Sequence, residues 1–88
     1  MRIQVSRTGG FAGIARRGEL DTEGREDAST WRSLAEQALS SARNTPPTGA
    51  PDGFRYEITV DGTTVYCADP DLTGAQRTLI SRVLEEGA

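Results

Sequence analysis

Two stretches of this chain show a strict alternation of apolar and polar residues. Residues 1–8 place Met1, Ile3 and Val5 between polar residues, and residues 54–60 alternate more regularly still. A period of two is typical of a strand that turns one face toward a core. Both stretches are therefore predicted to be half-buried strands.

Two further stretches extend this pattern into hairpins. Residues 14–22 alternate less regularly, and their charges favour a position at the edge of a sheet. Residues 63–68 resume the alternation of residues 54–60 after the dipeptide Asp61-Gly62. An Asp-Gly pair between alternating runs predicts a hairpin, because both central positions of a type I′ turn require positive φ.

Apolar residues at spacings of three and four predict an amphipathic helix over residues 27–43. Asp27 or Ser29 is expected to cap its first turn, since short polar side chains accept hydrogen bonds from free backbone N–H groups. Trp31 is expected to be the largest contribution of this helix to the core.

A second helix is predicted over residues 74–87. Thr73 and Gln76 stand three residues apart, as in a capping box, and an apolar stripe follows them. Gly87 occupies the position at which this helix is expected to stop.

The order of these elements predicts an α+β fold, ββαββα, in a single domain over residues 1–88. We expect a four-stranded, mainly antiparallel sheet with both helices packed on one face. Residues 44–53 contain three prolines and two glycines, so no regular element is predicted there.

The amino-acid composition argues against several classes of function and partner. The formal net charge is −3 and all ten cations are arginine, which makes nucleic acid an unexpected partner. The absence of histidine removes the commonest general base and zinc ligand. One cysteine, no signal-peptide pattern and no apolar run of about 18 residues predict a cytoplasmic protein without a membrane span.

The remaining side chains suggest no catalytic or metal site, and no cofactor is expected. Asp69 and Asp71 fit a helix start better than a calcium loop. Two groups of carboxylates could supply an acid–base pair: Glu19, Asp21 and Glu23, or Glu85 and Glu86. Both groups are predicted to be solvated, because neither lies in an apolar run that would raise a pKa. Cys67 is expected to be a buried, inert thiol. An enzyme is thus the least favoured class.

The glycine-rich segment "GGFAG" between the first two strands is the most unusual feature of the chain. It is not a phosphate-binding loop, because it lacks both the required glycine spacing and a following helix. Two alternatives remain for Phe11: it plugs the open end of the sheet, or it is offered to a partner.

The whole chain resembles the emfourin family, small bacterial proteins that inhibit protealysin and related thermolysin-like zinc metallopeptidases. The resemblance is carried by the opening "MRIQVSRTGGFAGIARRGELDT", by "FRYEITVDG" and by the final helix "AQRTLISRVLEEG". It implies a monomeric, cytoplasmic, non-enzymatic inhibitor whose partner peptidase supplies the zinc. The alternative is a small non-catalytic protein interaction module.

The resemblance also implies a contact site. Thermolysin-like peptidases prefer a large apolar residue just after the scissile bond, so Phe11 would fill the pocket that accepts this residue. The resemblance therefore favours the alternative in which Phe11 is offered to a partner. The expected contact residues are Thr8, Gly9, Gly10, Phe11, Ala12 and Gly13. A second set comprises Arg7, Arg16 and Arg17 as a polar rim, with Pro46 and Pro47 in a loop that serves equally well as a plain connector.

Overall fold

The computed structural model describes residues 1–9, 15–43, 54–68 and 72–87. Its elements are β1 (Arg2–Gly9), β2 (Arg16–Asp21), α1 (Ala28–Ser40), β3 (Phe54–Val60), β4 (Thr63–Ala68) and α2 (Gly74–Glu86). One sheet has the strand order β2-β1-β3-β4, and every neighbouring pair is antiparallel. The predicted α+β class and element order are confirmed, and β2 lies at an edge.

The core lies between one face of the sheet and the two helices. Ile3, Val5 and Ile58 are almost completely inaccessible. Across β1 and β3, Val5 pairs with Ile58 and Ile3 pairs with Val60 on the helix-facing side. The intervening residues of these strands are polar and form an open face. Alternation in the sequence thus predicts correctly which face is covered, because successive side chains of a strand point to opposite sides.

Trp31 is fully buried, as predicted, and its indole N–H bonds to the residue that precedes α1. Its indole Nε1 donates a hydrogen bond of 3.1 Å to Asp27. Asp27 is the N-cap residue, but its side chain makes no capping hydrogen bond, and Ser29 lies inside the helix. The predicted side-chain cap is therefore wrong. The carboxylate instead satisfies a buried N–H one turn along, which would be costly to leave unpaired.

Two arginines cover the Trp31 ring and are held there by two carboxylates. Arg82 lies over the indole at 4.3 Å and Arg25 at 5.7 Å. Both arginines form ion pairs with Asp27 and Glu86 at 2.9 to 3.4 Å. This arrangement ties the start of α1 to the end of α2 above the largest side chain of the core.

The start of α2 is held by the predicted capping box. Gln76 donates its backbone N–H to the Thr73 hydroxyl and accepts the Thr73 N–H on its side chain. Its amide Nε2 then donates to the Ala38 carbonyl at 3.1 Å. Gln76 is 1% exposed, so one buried side chain both caps α2 and joins it to α1.

The predicted hairpin turn is confirmed, because both Asp61 and Gly62 have positive φ, at 48° and 87°. The turn also contacts β1: the Asp61 N–H donates to the Arg2 carbonyl, and the Arg2 N–H donates to the Asp61 carboxylate.

Close approach of α2 to β2 requires glycine at two positions. A Cβ atom on Gly18 would lie 2.6 Å from the Val83 carbonyl oxygen, and one on Gly87 would overlap the backbone of Glu19. Gly87 ends α2 as predicted, but with φ −105°, a value open to any residue. Its glycine is therefore required for space and not for a left-handed backbone.

We expect Gly18→Ala to lower the free energy of unfolding by about 1–3 kcal/mol, because the new methyl group meets backbone atoms that cannot rotate away. Chemical denaturation of the purified protein measures this loss. Gly74→Ala is the matched control, since no atom lies within 4 Å of the added Cβ and a helix gains from alanine. Equal stability of the two variants would contradict this account of Gly18.

We expect the contribution of Asp27 to stability to disappear in acid. The hydrogen bond from Arg25 holds the pKa of this carboxyl below its ordinary value, against the opposing effect of desolvation. A depressed folded-state pKa stabilises the protein above the unfolded pKa, and this stabilisation is lost as pH falls through the folded pKa.

The measurement is thermal unfolding of the parent and Asp27→Asn between about pH 6 and pH 2. The parent should be the more stable at neutral pH, and the difference should shrink in acid. Glu26→Gln, a change of an exposed neighbouring carboxylate, should show no such convergence. A difference that stays constant down to the lowest pH would refute the role of Asp27.

Candidate functional site

The predicted contact segment begins at one end of the sheet, formed by Gly9, Arg16, Phe54 and Ala68, which we call the turn end. Thr8 and Gly9 are the last residues of β1, and Arg16 is the first residue of β2. Gly10, Phe11, Ala12 and Gly13 lie outside the described residues. The predicted orientation of Phe11 therefore stays a prediction.

Gly9 directs the chain out of β1 with φ 97°, a conformation that side chains disfavour. It is still in register with Phe54 of β3, so the left-handed residue is part of the sheet. Thr8 is exposed and pairs with Arg55, which places its side chain on the open face. Both predicted contact residues thus belong to the ordered base of the segment.

Arg7 packs against the body of the protein. Its guanidinium lies 4.3 Å from the centre of the Phe54 ring, a distance typical of a cation–π contact. Its Nε atom is buried and has no hydrogen-bond partner in the described part of the chain. Arg7 therefore supports the turn end from inside, while its predicted role in a polar rim stays untested.

Arg16 and Arg17 diverge to opposite faces of β2, although both are exposed. Arg16 is in register with Arg7 on the helix-facing side and donates a hydrogen bond of 3.2 Å to the Leu84 carbonyl. That carbonyl lies in the last turn of α2, where no backbone N–H is available within the helix. Arg17 pairs with Ser6 and lies on the open face.

The proline loop starts and ends near the same end of the sheet. Pro46 and Pro47 lie outside the described residues, but Arg43 before the loop pairs with Tyr66 of β4, and Phe54 after it pairs with Gly9. The two predicted contact segments therefore adjoin one end of the molecule. Phe54 was missed as a site residue, although the hairpin pattern and its place at the start of β3 are signals that could have suggested it.

Charge is distributed unevenly between the two ends of the sheet. The turn end carries four arginines: Arg7 near the end of β1, Arg16 and Arg17 at the start of β2, and Arg55 at the start of β3. At the opposite end, the N-terminal amine pairs with Asp21 at 3.7 Å and Arg2 pairs with Glu19 at 2.9 Å. Counted over the described residues, the turn end is thus basic in a protein of net charge −3, and this charge would attract an acidic surface.

Other chemistry is sparse in the described part of the chain. No group of three or more His, Cys, Asp or Glu side chains there could hold a metal ion. Cys67 is half-buried and packs against the core, in register with Tyr56. None of the described helices is long and apolar enough to cross a membrane.

Comparison with known proteins gives one match. The family model described as Emfourin matches residues 5–84, from the middle of β1 to the last turn of α2. Searches of the curated proteins and of the solved structures found no match.

We expect Arg16→Ala to lower the free energy of unfolding by about 1 kcal/mol, because the Leu84 carbonyl loses its donor. Arg17→Ala is the matched control and should cost less than about 0.5 kcal/mol, since its side chain makes no such hydrogen bond to any described residue. Chemical denaturation of both variants and the parent measures the two losses in the free energy of unfolding. If Arg17→Ala destabilises the protein as much as Arg16→Ala, the hydrogen bond to α2 is not what stabilises the start of β2.

Proposed function

This chain belongs to the emfourin family, a family of protease inhibitors, and we propose that it inhibits a thermolysin-like zinc metallopeptidase of the protealysin type. It acts as a single-domain monomer in the cytoplasm and inserts the first turn, residues 8–13, into the active-site cleft. The observation that carries the proposal is the family match over residues 5–84.

The geometry of the turn end supports insertion of this segment. Gly9 leaves the sheet in a left-handed conformation while still paired with Phe54. The two strands that bracket the segment, β1 and β2, are antiparallel neighbours, so the chain is paired in the sheet both before and after it. Phe11 lies near its centre and would enter the apolar pocket that accepts the residue after the scissile bond.

The peptidase, in this proposal, supplies the zinc and the catalytic groups. The inhibitor contributes an aromatic anchor, backbone groups close to the cleft and the arginine side chains of the turn end. Arg17 and the other arginines of the turn end would accelerate encounter with an acidic cleft rim more than they tighten the final complex. The proline loop, which adjoins the same end of the sheet, is a second contact.

We expect the purified protein to slow protealysin at stoichiometric amounts, and Phe11→Ala to weaken this inhibition about thirtyfold, the effect of losing an anchor worth about 2 kcal/mol. Gly10→Pro should weaken it as well, because proline restricts the backbone that must approach the cleft. Titration of peptidase activity with each variant gives the inhibition constants.

Circular dichroism and thermal unfolding must show that both variants keep the parent's fold. Pro46→Ala with Pro47→Ala tests the second contact separately and should have a smaller effect. If the parent inhibits and both Phe11→Ala and Gly10→Pro inhibit equally well, the first turn is not the contact. If the parent does not inhibit at all, the chain is better explained as an interaction module for another protein.

A further inference from the structure

The outer edge of β2 is the feature that the proposed turn insertion leaves unexplained. Thr22 donates its N–H to the Met1 carbonyl, and Asp61 donates its N–H to the Arg2 carbonyl. Odd-numbered residues of β1 therefore bond to β2 and even-numbered ones bond to β3, since the direction of backbone groups alternates along a strand. In β2 it follows that Arg17, Glu19 and Asp21 direct their backbone groups outward.

Gly87 closes the middle of this edge. Its carbonyl accepts the Glu19 N–H at 3.1 Å, and any side chain at Gly87 would collide with the Glu19 backbone. Strand addition from outside is thereby blocked at Glu19. Covering an exposed edge in this way is a common defence against unwanted pairing.

The opposite edge of the sheet is closed in a similar way, but by two hydrogen bonds instead of one. Arg43 donates its N–H to the Tyr66 carbonyl at 3.0 Å and accepts the Tyr66 N–H at 2.8 Å. A single residue outside the named strands thus makes an antiparallel bridge with the middle residue of β4. Both edges are closed at their centres by one residue each.

The turn-proximal part of β2 is left open. The outward N–H and carbonyl of Arg17 have no hydrogen-bond partner in the described part of the chain, and Arg17 is exposed. It lies between the closed position at Glu19 and the first turn. This is the stretch of edge that a partner bound at the turn would reach.

We propose that the backbone N–H and carbonyl of Arg17 pair with an extended segment at the cleft rim of the target peptidase. The pair has the exchange geometry that Arg43 makes with Tyr66, and Gly87 limits it to the turn side of Glu19. The proposal rests on the proposed function and deepens it: the contact continues from the first turn onto the sheet edge, and its specificity lies in backbone groups.

The decisive variant is Arg17→Pro. Proline removes the outward N–H together with the arginine side chain. Because this N–H makes no bond within the sheet, an edge strand tolerates proline at this position. With protealysin as the probe, the inhibition constant should rise about tenfold, the usual effect of one lost hydrogen bond that is not replaced by water.

Two matched variants isolate the backbone effect. Arg17→Ala keeps the N–H and removes the side chain, and Asp21→Pro removes an outward N–H on the same edge beyond Gly87. Arg17→Ala should weaken inhibition less than Arg17→Pro does, since only the encounter effect of its side chain is lost. Asp21→Pro should stay within about threefold of the parent. If Arg17→Ala weakens inhibition as much as Arg17→Pro, the side chain makes the contact and the pairing is overturned.

Failure of this inference and failure of the proposed function give different results. A parent chain that does not inhibit protealysin overturns both. A parent that inhibits, with an Arg17→Pro variant that inhibits equally well, overturns only the strand pairing.

Amide hydrogen exchange of the parent in complex with protealysin gives an answer even where Arg17→Pro fails to fold. Binding should slow exchange of the Arg17 amide strongly. The Glu19 amide, already bonded to Gly87, should change much less. An unchanged rate at Arg17 in the complex would refute the pairing.

Discussion

The close contact of α2 with β2 is the constraint on which the rest of the structure depends. β2 is a short edge strand with few apolar side chains, and it stays in place because Gly18 lets the Val83 turn of α2 rest directly on its backbone. Gly87 repeats this contact at Glu19 and adds a hydrogen bond. Dispersion and hydrogen bonding between backbones thus replace the side-chain packing that β2 lacks. The placement of β2, the strand that follows the first turn in the chain, thus depends on two glycines.

The two ends of the molecule are stabilised in different ways. At the end away from the turn, Asp27 and Glu86 pair with two arginines over the buried Trp31, so that opposite charges neutralise one another. At the turn end, Arg7 stacks on an aromatic ring and Arg16 donates to a helix carbonyl. These contacts hold the arginine side chains without cancelling their charge. Among the described residues, opposite charges therefore neutralise one another where the helices meet, whereas Arg7 and Arg16 are held by uncharged groups at the end where a partner is proposed to bind.

Local features could be predicted from the sequence, and features that depend on distant contacts could not. The bounds of β3 and β4 follow from alternation around Asp61-Gly62, and Gln76 follows from its spacing to Thr73, because each signal lies within a few residues. The Arg16 bond to Leu84 joins residues 68 apart. No local pattern encodes it. Asp27 shows the same limit: it stands where a cap is expected, but the buried Trp31 N–H needs its carboxylate, and the cost of an unpaired buried donor exceeds the benefit of a cap.

Anchoring both sides of the turn matters for the proposed inhibition because a loop that orders only on binding loses affinity to the entropy of ordering. Gly9 is already held in its left-handed conformation by pairing with Phe54, and Arg16 is held on the other side by α2. The backbone cost of fixing these residues is incurred on folding, so it does not recur when a peptidase binds. The same reasoning applies to the proposed pairing at Arg17, because β2 is already fixed against α2 at Gly18 and Gly87 before a partner binds.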